Sequence, residues 1–285
     1  MQADPHDPNK PIRPGSDLYY ALLFIPGEKR DACNAVHALC TEISSVIDEC
    51  IDAGIARRKL QWWRDEIHRT YADHPQHPAT RALHAWLSRY NLPEEYLHEL
   101  IDGSLMDLDQ LDYAEFSELA LYCHRVAGST QLMVTEILGY DHHRTPRYAS
   151  DLGIALKLMD LICNLHHAVQ HGRNYLPRDE MREFNVDRQT LLRRDESAAL
   201  RQLLASQANR ARDFARRAIN RLPDADRARQ TPGLILAAIA ESRLDEIESD
   251  GFQVLSRKTD LTPLRKLWIA WRTARSARRA GAPDV

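Results

Sequence analysis

The stretch AALRQLLASQANRARDFARRAINRL, residues 198–222, decides the class of fold. Its apolar side chains fall at Leu200, Leu203, Leu204, Ala208, Ala211, Phe214, Ala215, Ala218, Ile219 and Leu222. That three-four spacing gathers them on one stripe of an α-helix, and arginines fill the opposite side. Working outward, the same period recurs in nearly every segment after Pro26. Strands require alternation instead, and the chain has no pair of Val/Ile/Thr-rich runs joined by a hairpin turn. Between the periodic segments stand helix boundaries: Gly27 after Pro26, Ala53-Gly54, His74 to Pro78, Asn91-Leu92-Pro93, Gly139, Thr145-Pro146, Pro177, Leu222-Pro223 and Thr231-Pro232. They leave about ten helices, several at or above the usual length. With no internal repeat and no long linker, the expectation is an all-α protein with one helical domain over residues 16–279. A disordered lead-in over 1–15 and a flexible tail over 280–285 are expected to flank it.

Composition narrows the function classes. The 285 residues suffice for a large core, and a formal net charge of -3 argues against a surface built for nucleic acid. Five cysteines (Cys33, Cys40, Cys50, Cys123 and Cys163) are scattered, odd in number and without a CxxC pair. They suit free thiols in a reducing cytoplasm better than a disulfide framework. No segment approaches the roughly 18 uncharged apolar residues of a membrane span. The polar, proline-rich start, MQADPHDPNKPIRPG, lacks the apolar core of a signal peptide.

Six segments, in order, carry a resemblance. They are DLYYALLFIPGEKRDACNAVHALCTEISSVIDE (17–49), KLQWWRDEI (59–67), LIDGSLMDLDQLDY (100–113), YCHRVAGS (122–129), DLGIALKLMDLICNLHHAVQHGRNYLP (151–177) and LDEIESDGFQVLSRKTDLTPLRKLWIA (244–270). Together the chain resembles the squalene/phytoene synthase family, and in pattern the bacterial presqualene diphosphate synthases. The resemblance implies an isoprenoid-synthase-like helical bundle around a central apolar cavity. It also implies a prenyl diphosphate or other isoprenoid lipid as ligand, and two aspartate-rich helices facing each other across the cavity mouth. Mg²⁺ held by those carboxylates would neutralise the leaving diphosphate, and carboxylates three or four residues apart share one helix face.

The motifs themselves depart from that pattern. Where the family reads Arg-Glu-x-Asp-Asp-x-x-Asp, this chain has Thr41, Glu42, Ser44, Ser45 and Asp48, with Glu49 following. Where it reads Gln-x-x-Asn-x-x-Arg-Asp-x-x-x-Asp, the chain has Lys157, Asp160, Cys163, Asn164 and Ala168. Neutral hydroxyls, an amide and a methyl group cannot supply the charge that a Mg²⁺–diphosphate cluster demands. By resemblance, Tyr122 stands at a family catalytic position, and Arg30, Arg125, Arg173 and Tyr175 at substrate-binding ones. Asp48, Glu49 and Asp160 are the residual candidates for metal. Asp102 and Asp107 also match the family and read as polar helix positions.

Other readings of these residues remain open. Lys157 and Asp160, three apart, have the spacing of an intrahelical ion pair that would turn a metal mouth into a polar plug. Cys163, His167 and His171 recur every four residues beside Asp160 and His166, a spacing able to hold Zn²⁺, against which stands the plainer reading of surface histidines and a buried cysteine. Trp62 and Trp63 read as core packing. Residues 261–279 carry Arg265, Lys266, Arg272, Arg275, Arg278 and Arg279 with no acidic residue, beside Leu264, Leu267, Trp268 and Trp271. Such a helix either packs its tryptophans inward or rests on an anionic membrane or a protein partner. The expectation is an isoprenoid-metabolism protein, cytoplasmic or peripheral on the inner membrane, whose Mg²⁺-dependent head-to-head prenyl transfer is lost or strongly altered. The alternative is a non-catalytic lipid-binding or assembly-factor protein, like the family's relative in respiratory complex I assembly.

Overall fold

A computed structural model describes residues 12–50 and 52–280. Its helices in chain order are α1 (Asp17–Leu22), α2 (Gly27–Glu49), α3 (Ala53–Tyr71), α4 (Pro78–Leu87), α5 (Glu94–Asp109) and α6 (Phe116–Cys123), followed by a π-helical turn (His124–Gly128). Then come α7 (Ser129–Leu138), α8 (Thr145–Cys163), α9 (Leu165–Gln170), α10 (Arg178–Glu183), α11 (Arg188–Leu192), α12 (Ala198–Arg221), α13 (Asp224–Arg227), α14 (Thr231–Ser249) and α15 (Pro263–Ala280). Among the described residues there is no strand, and extended backbone pairs at an isolated parallel bridge between Asp112 and Asn174. Each sequence stop falls at a helix boundary, but the described residues hold fifteen α-helices where about ten are expected, because the breaks at 110–115, 164, 184–187 and 193–197 carry none of those signals. Pro26, Pro93, Pro177 and Pro223 each directly precede a helix, where a missing N–H leaves no bond unmade, and Gly139 ends α7 at φ 77°. Side chains of Ser16, Asp52 and Ser197 cap α1, α3 and α12 by accepting from backbone N–H groups three residues on.

The stripe on α12 is buried as its period requires. Leu200, Leu203, Leu204, Ala208, Ala211, Ala215 and Ala218 are wholly enclosed, while Phe214 and Ile219 are only partly covered. Each buried leucine contributes roughly 1.5–3 kcal/mol. The alanines let α12 lie close along α8, the most extensive pairing among the described helices. Of the four apolar clusters among the described residues, two are large. One joins α6, α8, α9 and α12 to the chain around Phe252, and the other joins α2, α3, α4, α5 and α7. Val126, in the π-helical turn, packs against both.

Glycine is required where that turn meets its neighbours. A Cβ on Gly153 of α8 would stand 2.5 Å from the Gly128 Cα and 2.6 Å from the Ala127 carbonyl oxygen. One on Gly103 of α5 would stand 2.6 Å from Val126 Cγ1. Only bare backbone lets α5 and α8 approach the turn this closely, and this approach brings Tyr122, one turn earlier, over the centre of the bundle.

The α3–α4 connection is anchored on one buried carboxylate. Glu66 Oε1 accepts from the backbone N–H groups of Gln76 and His77, both at 2.7 Å, and from Thr80 Oγ1 at 2.5 Å. Its Oε2 takes both the Nε and an Nη of Arg69. Of the expected flanking segments, residues 1–11 and 281–285 lie outside the described residues, and Ile12 already packs against the core.

Candidate functional site

Between the two large apolar clusters lies a cavity of about 410 Å³. The last two turns of α2 supply Ser44, Ile47 and Asp48, and α5 supplies Ser104 and Asp107. Tyr122 and Val126 enter from α6 and the π-helical turn, with Lys157, Asp160 and Leu161 from α8. Asn164, His167, Ala168, Arg173 and Tyr175 complete the wall. Leu158, Leu161, Leu176 and Tyr175 enclose a small, nearly filled apolar recess beside it, of about 10 Å³.

At the centre is Asp107. Tyr122 donates its hydroxyl to one carboxylate oxygen and Tyr175 donates to the other, both at 2.9 Å. The two rings stack at 5.3 Å, and Tyr113 flanks them at 5.6 and 6.0 Å. Burial raises the Asp107 pKa, against the opposing pull of the tyrosine hydrogen bonds and of the Arg173 and Lys157 charges. Burial and the same carboxylate push the Tyr122 and Tyr175 phenols above their ordinary range. Both tyrosines therefore stand as neutral donors at any working pH.

The remaining carboxylate that each motif helix presents to the cavity is paired with a cation. Lys157 Nζ sits 3.1 Å from Asp160 Oδ2, and Asn164 Nδ2 donates to Asp160 Oδ1 at 2.6 Å. Burial works against a charge on Lys157, but Asp160 outweighs it and raises the pKa, so the ammonium persists. The same Nζ lies 5.9 Å from the centre of the Tyr122 ring. Across the cavity, Arg173 donates to Asp48 Oδ1 at 2.8 Å and to the Ile47 carbonyl at 3.1 Å. This ties the end of α2 to the chain beyond α9.

Several candidates read from the sequence fall elsewhere. Arg125 turns away from the cavity and pairs with Glu99 on α5 at 3.1 Å. Arg30, in the first turns of α2, and Glu49 are not among the lining residues. Thr41 and Ser45 donate to the carbonyls of His37 and Glu42 on their own helix. Asp48, Glu49 and Asp160 do not form a ligand set. Among the described residues no three His, Cys, Asp or Glu side chains are grouped to hold a metal ion. The Zn²⁺ face is also broken. The helix interrupts at Asn164, and burial pushes the Cys163 thiol up to about 12, far from a thiolate. Asp107, expected to be a mere polar helix position, is the hub of the site. A signal for it is present in the sequence: Leu97, Leu100, Ile101 and Ser104 form the buried stripe of α5, and three residues past Ser104 the stripe reaches Asp107. Asp102, by contrast, pairs with Arg64 at 2.5 Å outside the cavity.

A model of the squalene/phytoene synthase family matches residues 13–265. The chain belongs to that family. Phytoene synthase of Mycobacterium tuberculosis is 31% identical over 261 residues, covering 89% of this chain and 84% of its own. The 15-cis-phytoene synthase of Synechocystis is 29% identical over 269 residues, covering 89% and 80%. A ligand-bound dehydrosqualene synthase superposes with a TM-score of 0.81 at 21% identity over 92% of each chain. Squalene synthase HpnC from Alicyclobacillus acidocaldarius does so at 0.72 and 24% identity, over 82% of this chain and 88% of its own. The helical isoprenoid-synthase fold is thus that of this chain as well.

For a member of this family, the wall departs from the aspartate-rich pattern that the resemblance implies. Magnesium ions bridging a diphosphate need several hard anionic oxygens free to coordinate. Here Ser44, Asn164 and Ala168 present no charge to the cavity, and both flanking carboxylates already hold a cation. Asp107 is enclosed by two phenols. The residues present do not fit a multi-magnesium cluster.

Proposed function

We propose that this squalene/phytoene synthase-family protein binds an isoprenoid, a prenyl diphosphate or related lipid, in the central cavity, and that Mg²⁺-dependent head-to-head transfer is lost or strongly altered. The observation carrying this reading is the pair of ion contacts, Lys157–Asp160 and Arg173–Asp48, which engage the carboxylates that remain in the two motif helices, while the second motif's metal-binding aspartates are replaced by Asn164 and Ala168. Ionising a prenyl diphosphate requires charge neutralisation at the leaving group, and losing one such stabilising group commonly slows an enzyme by about 10²–10³-fold. The two cations of this cavity are engaged by Asp160 and Asp48. An allylic cation would also meet repulsion, because Lys157 already lies over the face of Tyr122, the aromatic surface that could stabilise it.

The relatives' names, phytoene synthase and dehydrosqualene synthase, support an isoprenoid as the ligand class. The internal balance of charge favours a second reading, a non-catalytic lipid-binding or assembly protein that keeps the cavity. Incubation with farnesyl diphosphate, with and without Mg²⁺, tests both. Diphosphate release, lipid products and equilibrium binding are measured together. Binding with little or no Mg²⁺-stimulated release is expected. Rapid Mg²⁺-dependent formation of a head-to-head product, abolished by Tyr122→Phe, would refute the loss of transfer. Failure to bind farnesyl diphosphate in either condition would remove the prenyl diphosphate from the proposal.

A further inference from the structure

Helix α15 buries one side and exposes the other, and the exposed side is not polar. Ile269, Ala270, Ala274 and Ala277 face the core, as does Lys266, which bridges Asp17 and Asp260. Outward stand Leu264, 81% exposed, with Trp268 at 53%, Trp271 at 50% and Leu267 at 42%. Positions 264, 267, 268 and 271 share one helical face, and with Phe24 they line a shallow apolar groove. Of the two arrangements open to this helix, inward packing of the tryptophans is therefore not the one adopted.

The charges that α15 itself carries beside the groove are all of one sign. The Arg272 guanidinium lies 4.5 Å from the Trp268 ring centre, and that of Arg275 lies 5.7 Å from Trp271. Among the described residues, Arg272, Arg275, Arg278 and Arg279 have no carboxylate partner. Helix α15 contains no acidic residue, although the whole chain carries a net charge of -3. Positive charge is therefore segregated onto this helix, beside exposed indoles and leucines. No helix among the described residues is long and apolar enough to cross a membrane.

We infer that the outer face of α15 docks the protein onto an anionic lipid bilayer. The tryptophans and leucines would enter the headgroup–acyl boundary while the arginines meet lipid phosphates. Guanidinium groups stacked on the indoles stay level with the interface as the rings sink. A second copy of the chain fits this face poorly. The apolar patch amounts to roughly 400 Å², taking a half-exposed tryptophan as about 100 Å². A stable dimer buries about 800 Å² on each partner. A two-fold contact centred here would also bring four arginines against their own copies. The inference is independent of what the central cavity holds.

The test is flotation of the full chain with vesicles of phosphatidylcholine containing about a third phosphatidylglycerol, against vesicles of phosphatidylcholine alone, with brominated lipids to quench inserted indoles. Binding selective for the anionic vesicles, weakened by salt and accompanied by quenching, is expected. The double variant Trp268→Ser/Trp271→Ser should lose at least tenfold in partitioning and most of the quenching. Arg272→Gln/Arg275→Gln should lose about fivefold per residue on anionic vesicles only, since each basic residue near such a surface contributes about 1 kcal/mol. All four positions are on the surface, and unchanged helical circular dichroism and melting would show that both variants remain folded. Absence of binding to anionic vesicles, equal binding to neutral ones, or variants that bind like the parent would each overturn the inference. So would a dimer in solution that Trp268→Ser/Trp271→Ser converts to monomer.

Discussion

Replacing Lys157 with glutamine should create affinity for a divalent cation where the parent chain has little. Lys157 Nζ stands 3.1 Å from Asp160 Oδ2, and Asp160 holds it in the charged form. A divalent ion bound through the same carboxylate, at an Mg–O distance of about 2.1 Å, would lie about 5 Å from that ammonium. Coulomb repulsion between one and two unit charges at that separation is about 3 kcal/mol for an effective dielectric near 40, midway between a protein surface and water. Asp160 is about half-exposed, which makes the lower dielectric of a dry interior inappropriate. At 1.4 kcal/mol per decade, Lys157→Gln should tighten binding roughly 100-fold. The assay is titration with Mn²⁺, followed by paramagnetic resonance of the free ion, at low ionic strength because salt screens the effect. Lys157→Arg retains the charge and should bind as weakly as the parent. A gain below about threefold in Lys157→Gln, or an equal gain in Lys157→Arg, would refute the idea that the ammonium keeps a divalent ion off Asp160.

Three further perturbations probe the scaffold and the hub. Glu66→Ala strips acceptors from two backbone N–H groups and from Thr80, and should lower unfolding free energy by about 3–5 kcal/mol, read from urea denaturation. Asp107→Asn offers the two tyrosine hydroxyls one acceptor and one donor, as the protonated carboxyl does, so a loss below about 1 kcal/mol is expected near pH 3, where the parent carboxyl is protonated in both states. Because the native pKa of Asp107 is raised, its contribution to stability is fully present below the ordinary carboxylate value of 3.8 and is lost as pH rises through the native value. The variant should abolish that slope in melts taken across acidic pH. His37 titrates the other way. Burial lowers its pKa from 6.5 to about 4, and its Nε2 has no hydrogen-bond partner among the described residues. Its stabilisation is complete above pH 6.5 and fades between 6.5 and about 4 as the unfolded chain binds the proton first. The loss is at most about 3 kcal/mol, and His37→Gln should flatten that part of the curve.

The sequence by itself determined the all-α class, most helix boundaries and the family. These are local properties. A three-four apolar period, a proline at a helix entrance or a glycine at an exit acts within a few residues of where it is written. The segments 17–49 and 151–177 also announced, residue by residue, which carboxylates were missing. The break after Cys163 was harder to see, because LICNLHHAVQ keeps an apolar period through the interruption and contains no proline or glycine.

What only the tertiary structure decided is which surviving polar groups meet. Asp48 and Arg173 are 125 residues apart, and Asp107 and Tyr175 are 68 apart, so no spacing rule could pair them. Nor could a rule tell that Arg125 turns to Glu99 instead of the cavity, or that Trp268 and Trp271 face outward. A helical stripe shows that two faces differ; only packing shows which face the rest of the chain covers. On α15 the alanine side is covered because α1 and α14 can approach small residues closely, and the bulky indoles are left outside.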